Sequence, residues 1–187
     1  MKFSDGSSMR LYRQTVEDFR MYPGMEIENP DVLREANSRY SAKMRAVRIV
    51  SASAVSKRDL ETRLIRKGEG EEQAKEAVKW LSDLNLLDDR QTAKQIVERC
   101  IHRGYGLQRA KQALYEKQIP KNLWEEALEG YPDQTDAIAD FLRTKLRDPD
   151  DPKQVRRAID AALRRGHSYA EVKRALEMIG SEFEEEY

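Results

Sequence analysis

The chain has 187 residues, of which 36% are charged and 39% hydrophobic, with 34 basic and 34 acidic side chains and a formal net charge of zero. This composition suits thin helical layers with long solvated faces. Few aromatics argue against a large sheet, and balanced charge argues against a strongly basic, autonomous nucleic-acid binder.

The single cysteine, Cys100, leaves no intrachain disulfide and nothing that points to a structural zinc site. No apolar stretch approaches the roughly 20 residues needed to cross a bilayer. The opening MKFSDGSSMR lacks the apolar segment of a signal peptide. A cytoplasmic protein is expected.

Residues 1–40 read as an amino-terminal extension. Phe3-Ser4-Asp5-Gly6-Ser7-Ser8 holds an Asp-Gly turn signal ahead of the more apolar MRLYRQTV, which predicts a short hairpin, and Pro23-Gly24 is a second break. After Asn29-Pro30 the pattern turns helical, with Asn29 as cap and Pro30 at the first helical position.

From residue 41 the chain repeats itself. Ala77, Val78 and Leu81 align with Ala127, Leu128 and Tyr131, then with Ala175, Leu176 and Ile179, at offsets of 50 and 48. Upstream, Leu60 and Leu64 map onto Ala110 and Leu114, then onto Ala158 and Ala162. Helical spacing inside a period near fifty residues makes each copy a small helical unit that cannot bury its apolar face alone. The expected fold is all-α: an elongated array of three tandem three-helix repeats at 41–85, 86–132 and 133–180, closed by an acidic tail at 181–187.

Within the first repeat the spacing predicts helices over 41–54, from Lys57 to Lys67, and over 69–83. Ser56-Lys57-Arg58-Asp59 forms a capping box at the start of the second, and Lys67-Gly68 closes it. Leu86-Leu87-Asp88-Asp89 opens the second repeat, with a helix through Arg103, a break at Gly104-Tyr105-Gly106, and helices at 107–117 and 121–129. The third predicts helices at 134–146 and 153–165 around the loop Asp148-Pro149-Asp150-Asp151-Pro152, and a last helix opened by a second capping box, Ser168-Tyr169-Ala170-Glu171.

Candidate chemistry is sparse. His102 and His167 lie at helix ends in different repeats, where a histidine commonly meets terminal carbonyls. Cys100 occupies an apolar helix position and reads as a small buried hydrophobe. Asp88-Asp89 reads as a cap, since adjacent residues at a helix start point in different directions. Lys67-Gly68-Glu69-Gly70 lacks the length and ending of a phosphate loop, and no nucleophile elbow or zinc-binding helix motif occurs. The reading is a non-enzymatic protein without catalytic, metal or cofactor residues.

Charge is distributed unevenly. Residues 39–67 carry nine cations against two carboxylates, a net +7, and 141–174 carry ten against five, a net +5. Between them, 69–90 carries seven acids against three cations, a net −4. Arg45, Arg48, Lys57, Arg58, Arg63, Arg66 and Lys67 in the first patch, with Lys153, Arg157, Arg164 and Arg165 in the second, are the candidate contacts for a long polyanionic or alternating-charge partner. Lys153, Arg157 and Arg164 share one helix face. The competing interpretation is an ordinary solvated face. No aromatic platform stands among these cations in the sequence.

Three ordered stretches then carry a resemblance: Ser56-x-x-Asp59-Leu60-x-x-x-Leu64-x-x-Lys67-Gly68, Leu86-Leu87-Asp88-Asp89-x-x-x-Ala93, and Arg164-Arg165-Gly166-His167-Ser168-Tyr169. Together they resemble the RecX family, regulators of the RecA recombinase. Gln118 departs from it where the pattern favours a glycine after the lysine. The resemblance implies a cytosolic bacterial protein that lies along the groove of the RecA–DNA filament, and a monomer is expected. Its implied effect is to inhibit recombinase activity in recombination, repair and the SOS response, with weak direct contact to single- or double-stranded DNA. The alternatives are a direct DNA-binding protein and a generic helical-repeat adaptor.

Overall fold

The computed structural model describes residues 1–185 apart from Ser4, Asp5, Ser7, Arg147, Pro149 and Asp150, with 181–185 described in backbone only. It divides into two compact units, Met1–Asp88 and Asp89–Tyr187. Helices are the only extended elements among the described residues. The Asp-Gly turn, part of the 148–152 loop and the side chains of the acidic tail fall outside the described residues. Of the expected hairpin, one antiparallel bridge between Lys2 and Ser8 is described. The segment read as its apolar continuation is instead a short helix, α1, Arg13–Asp18.

Helix α2 spans Pro30–Ala52. Asn29 caps it by accepting from the amides of Asp31 (3.2 Å) and Val32 (3.3 Å), and proline at the first position wastes no amide. The expected helix over 41–54 is therefore the second half of a longer one, because no breaker separates the two stretches. Helices α3, Lys57–Arg66, and α4, Glu71–Asp83, pack against α2. Ala42, Ala46, Val55, Leu60, Leu64, Ala74, Ala77, Val78 and Leu81 form their core together with Leu87.

The second unit holds α5, Asp89–His102, α6, Leu107–Glu116, and α7, Trp124–Leu128, with a single 3₁₀ turn at Lys121–Leu123. Their core centres on Ala93, Ile96, Val97, Leu114 and Ile119. A further cluster joins α8, Thr135–Arg143, α9, Pro152–Arg164, and α10, Tyr169–Glu185, around Ile138, Leu142, Ala158, Ala162, Val172 and Ala175. The repeated positions Leu60 and Leu64, Ala110 and Leu114, and Ala158 and Ala162 are all buried. Gln118 sits at φ +52°, in the left-handed region that Gly68 (+89°) and Gly166 (+88°) occupy after their own cations. The turn is kept although the glycine is not.

Within the second unit, the turn before α6 meets the turn after α9. The Gly106 amide donates to the Arg165 carbonyl at 3.0 Å, and the Gln108 amide to the Gly166 carbonyl at 3.2 Å. A Cβ on Gly106 would fall 2.1 Å from the Gly166 carbonyl oxygen, so this approach requires glycine. The Tyr131 hydroxyl donates to the Tyr105 carbonyl at 2.6 Å, and burial, with Cys100 and Glu171 nearby, pushes that phenol up to about 12.

His167 completes this seam. It is buried, and its Nε2 lies 3.1 Å from the Gly104 carbonyl. A carbonyl can only accept, so Nε2 carries a proton that it donates to Gly104, while the buried Nδ1 has no hydrogen-bond partner among the described residues. Burial lowers the His167 pKa, reinforced by Arg165 and opposed by the Gly104 hydrogen bond and Glu171. A base whose folded value is depressed binds fewer protons folded than unfolded. Its contribution to stability is therefore present above the unfolded value near 6.5 and lost as pH falls below it. Between pH 7 and 5 the wild-type second unit should lose stability, and His167→Gln should flatten that slope in urea unfolding. Parallel slopes would contradict this account of the ring.

Candidate binding surfaces

Four cations of the first basic patch line a cleft of about 360 Å³, formed by Tyr12, Arg45, Arg48, Ile49, Ala52, Ser53, Arg63 and Lys67. Arg45, Arg48, Ile49 and Ala52 recur at helical spacing along one face of α2. Arg63 and Lys67 come from the end of α3. Two buried carboxylates stand behind the arginines. Glu69 accepts from Arg45 Nε at 2.6 Å and from the Ser41 hydroxyl at 2.9 Å, while Asp59 accepts from Arg63 Nε at 2.8 Å. Held by their Nε edges, both guanidiniums have their terminal N–H groups available to an anion. Glu69, expected to open the third helix of the repeat, lies before α4 because extended Gly70 is that helix's N-cap.

Tyr12 reaches this cleft from the amino-terminal extension. Its amide donates to Asn37 Oδ1 at 2.8 Å, the Thr15 hydroxyl donates to the same oxygen at 3.2 Å, and Asn37 Nδ2 donates to the Arg10 carbonyl at 3.0 Å. The Tyr12 hydroxyl lies 3.4 Å from Ser41 Oγ. Asn37, Ser41, Arg45 and Arg48 thus form a polar ladder down α2 that seats the extension and the cations together. Sequence reasoning placed no aromatic among these cations; the fold supplies one.

The other candidates are dispersed. Lys57, Arg58 and Arg66 are exposed on α3, outside the lining of the cleft. In the second unit Lys153, Arg157 and Arg164 are all exposed on α9. That helix buries Ala158 and Ala162 on its other side. Arg165 behaves differently from its neighbour. Its guanidinium carbon lies 5.0 Å from the Tyr105 ring centre and 4.6 Å from that of Phe141, and a terminal nitrogen donates to the Arg103 carbonyl. The side chain is spent on the seam.

The remaining chemical candidates take structural places. Cys100 is buried in the second unit, and burial pushes its thiol up, away from nucleophilic reactivity. Asp89 heads α5 as a first-turn acid. The Ser168–Glu171 box is reciprocal: the Glu171 amide donates to Ser168 Oγ at 3.2 Å, and the Ser168 amide to Glu171 Oε2 at 2.6 Å. Among the described residues no group of three or more His, Cys, Asp or Glu could hold a metal ion, and no helix is long and apolar enough to cross a membrane.

Three-helix groups recurring along one chain, with their distinctive chemistry on cationic outer faces, define the class: an all-helical repeat protein. Residues 88–128 match the family described as RecX, second three-helix domain. The regulatory protein RecX of Chlorobaculum tepidum is 30% identical over 142 residues, covering 74% of this chain and 88% of that one. The regulatory protein RecX of Vibrio parahaemolyticus is 26% identical, covering 73% and 90%. The chain belongs to the RecX family. Its fold also matches a crystal structure of a regulatory protein RecX at TM-score 0.65 and 17% identity, covering 92% of this chain and 89% of that chain. RecX from Lactobacillus salivarius matches at 0.64 and 20%, covering 78% and 98%.

Proposed function

We propose that this protein is a cytoplasmic, non-enzymatic regulator that binds the RecA–DNA filament along its helical groove and inhibits recombinase activity in recombination, repair and the SOS response. Membership of a family of regulatory proteins supports this reading, and the observation that carries it is the cationic surface just described. The regions 41–85, 86–132 and 133–180 act as successive contact units, each adding a weak contact to a repetitive partner. Added below filament stoichiometry, the folded protein should reduce DNA-dependent ATP hydrolysis and strand exchange by its cognate RecA. No effect at low salt would overturn the proposal.

The α9 stripe gives a sharper test. The triple variant Lys153→Glu/Arg157→Glu/Arg164→Glu should weaken filament binding about tenfold or more, because three favourable contacts to a polyanion become repulsive. Its unfolding midpoint should stay near that of wild type, since the three side chains are exposed. Unchanged affinity in a co-sedimentation assay would reduce the stripe to a solvated face.

A further inference from the structure

We propose that the cleft of the first unit is a subsite for one unit of a single-stranded polynucleotide, with its base laid on the Tyr12 ring and its phosphate held by Arg45, Arg48, Arg63 and Lys67. This deepens the filament reading, on which it rests only for placing a polynucleotide within reach.

Cations on an open helix face attract any polyanion, but this cleft has more than charge. Two of its guanidiniums are locked through Nε by buried Glu69 and Asp59. They therefore need less ordering when an oxyanion arrives than free side chains would. With four cations facing two carboxylates, the site keeps a net positive charge. Arg48 and Lys67 are exposed.

The aromatic wall selects the ligand class. Tyr12 is half-buried and fixed to Asn37 through its own backbone amide. Ile49 and Ala52 add apolar lining beside it. A lone phosphate or an acidic side chain would use the guanidiniums and gain nothing from the ring. A nucleotide unit uses both, since every base has a face that stacks on an aromatic side chain while its phosphate meets cations. Duplex DNA is disfavoured, because its bases are already stacked on one another. The volume of about 360 Å³ is at the small end of ligand sites, roughly 300–1,000 Å³, and so suits one such unit.

The test uses the full chain without RecA and three fluorescent probes: an oligothymidylate, an abasic oligomer of equal length, and a duplex. Arg48→Ala/Lys67→Ala should weaken both single strands alike and flatten the salt dependence. Tyr12→Leu should weaken the oligothymidylate about fivefold or more and leave the abasic strand unchanged. Tyr12→Phe, which keeps the ring, should bind as wild type. The duplex should bind more weakly than the oligothymidylate and show no dependence on Tyr12. Equal effects of Tyr12→Leu on both single strands, or no effect of any variant, would overturn the subsite. Exposed Arg48 and Lys67 keep the experiment decisive should Tyr12→Leu disturb the extension. Normal RecA inhibition by variants without a binding defect would sink the subsite and leave the filament reading standing. Ring-dependent binding by a protein without effect on RecA would do the reverse.

Discussion

Gly166→Ala is expected to destabilise the second unit by about 3 kcal/mol or more, whereas Gly68→Ala should cost the first unit only about 1–2 kcal/mol. The two glycines hold nearly the same backbone angle, φ +88° and +89°. An alanine at either pays the same left-handed penalty. Only their surroundings differ. A Cβ at Gly68 meets nothing within 4 Å, while one at Gly166 meets the Arg109 amide nitrogen at 2.3 Å, its Cβ at 2.6 Å and its Cα at 2.9 Å. These are atoms on or next to the backbone of α6, so relief requires moving the helix and breaking the Gly106 and Gln108 hydrogen bonds across the seam. The excess cost is overpacking without a flexible outlet.

The two tryptophans allow each unit to be followed separately. Trp80 lies in the first and Trp124, whose indole donates to the Ile119 carbonyl at 3.0 Å, in the second. Urea unfolding in Trp80→Phe and Trp124→Phe backgrounds would read the glycine effects independently. Equal losses at Gly68 and Gly166 would show that the seam yields, and that backbone angle alone makes these positions glycine.

The contrast illustrates what a sequence can and cannot carry. Leu60, Leu64, Leu114, Ala158 and Ala162 were readable because helical periodicity is local, and they form the cores of their groups. Asn29, Ser56 and Ser168 were readable as caps for the same reason: their partners lie two or three residues away. The helix start expected at residue 41 differs from the structure, where α2 begins at Pro30, because the repeat period marks where similarity starts and a helix can run through that point. The Gly106–Gly166 approach joins residues 60 apart, and a left-handed glycine looks alike in sequence whether it faces solvent or another backbone. Tyr12 is separated from the cleft's cations by at least 33 residues of chain, so no local spacing rule could bring its ring among them. Glu69 was hidden by its charge. Carboxylates are seldom fully buried unless paired, and Arg45 and Ser41 satisfy this one from α2.

Charge patterning does not distinguish two adjacent arginines whose surroundings differ. Arg164 and Arg165 look equivalent in a count of cations, yet charge reversal should separate them. Arg164→Glu changes an exposed side chain, and its stability effect should stay within about 0.5 kcal/mol. Arg165→Glu should cost the second unit about 3 kcal/mol. It removes a cation that lies over both the Tyr105 and Phe141 rings, each contact being worth roughly 0.5–2 kcal/mol, and deletes a charged hydrogen bond to the Arg103 carbonyl. It also turns a carboxylate toward that carbonyl. Arg165→Lys keeps the charge but loses the planar group that spans both rings, so it should fall between the two. The buried Arg165 Nε, which has no hydrogen-bond partner among the described residues, shows that the position already tolerates a cost. Trp124 fluorescence in urea would rank the three variants. Similar stability for Arg164→Glu and Arg165→Glu would return Arg165 to the outer surface. The expected separation would make it a residue that shapes the cationic face by holding α9 in place, so a binding defect in Arg165→Glu would report lost structure, and the proposed filament contact is best tested at Arg164.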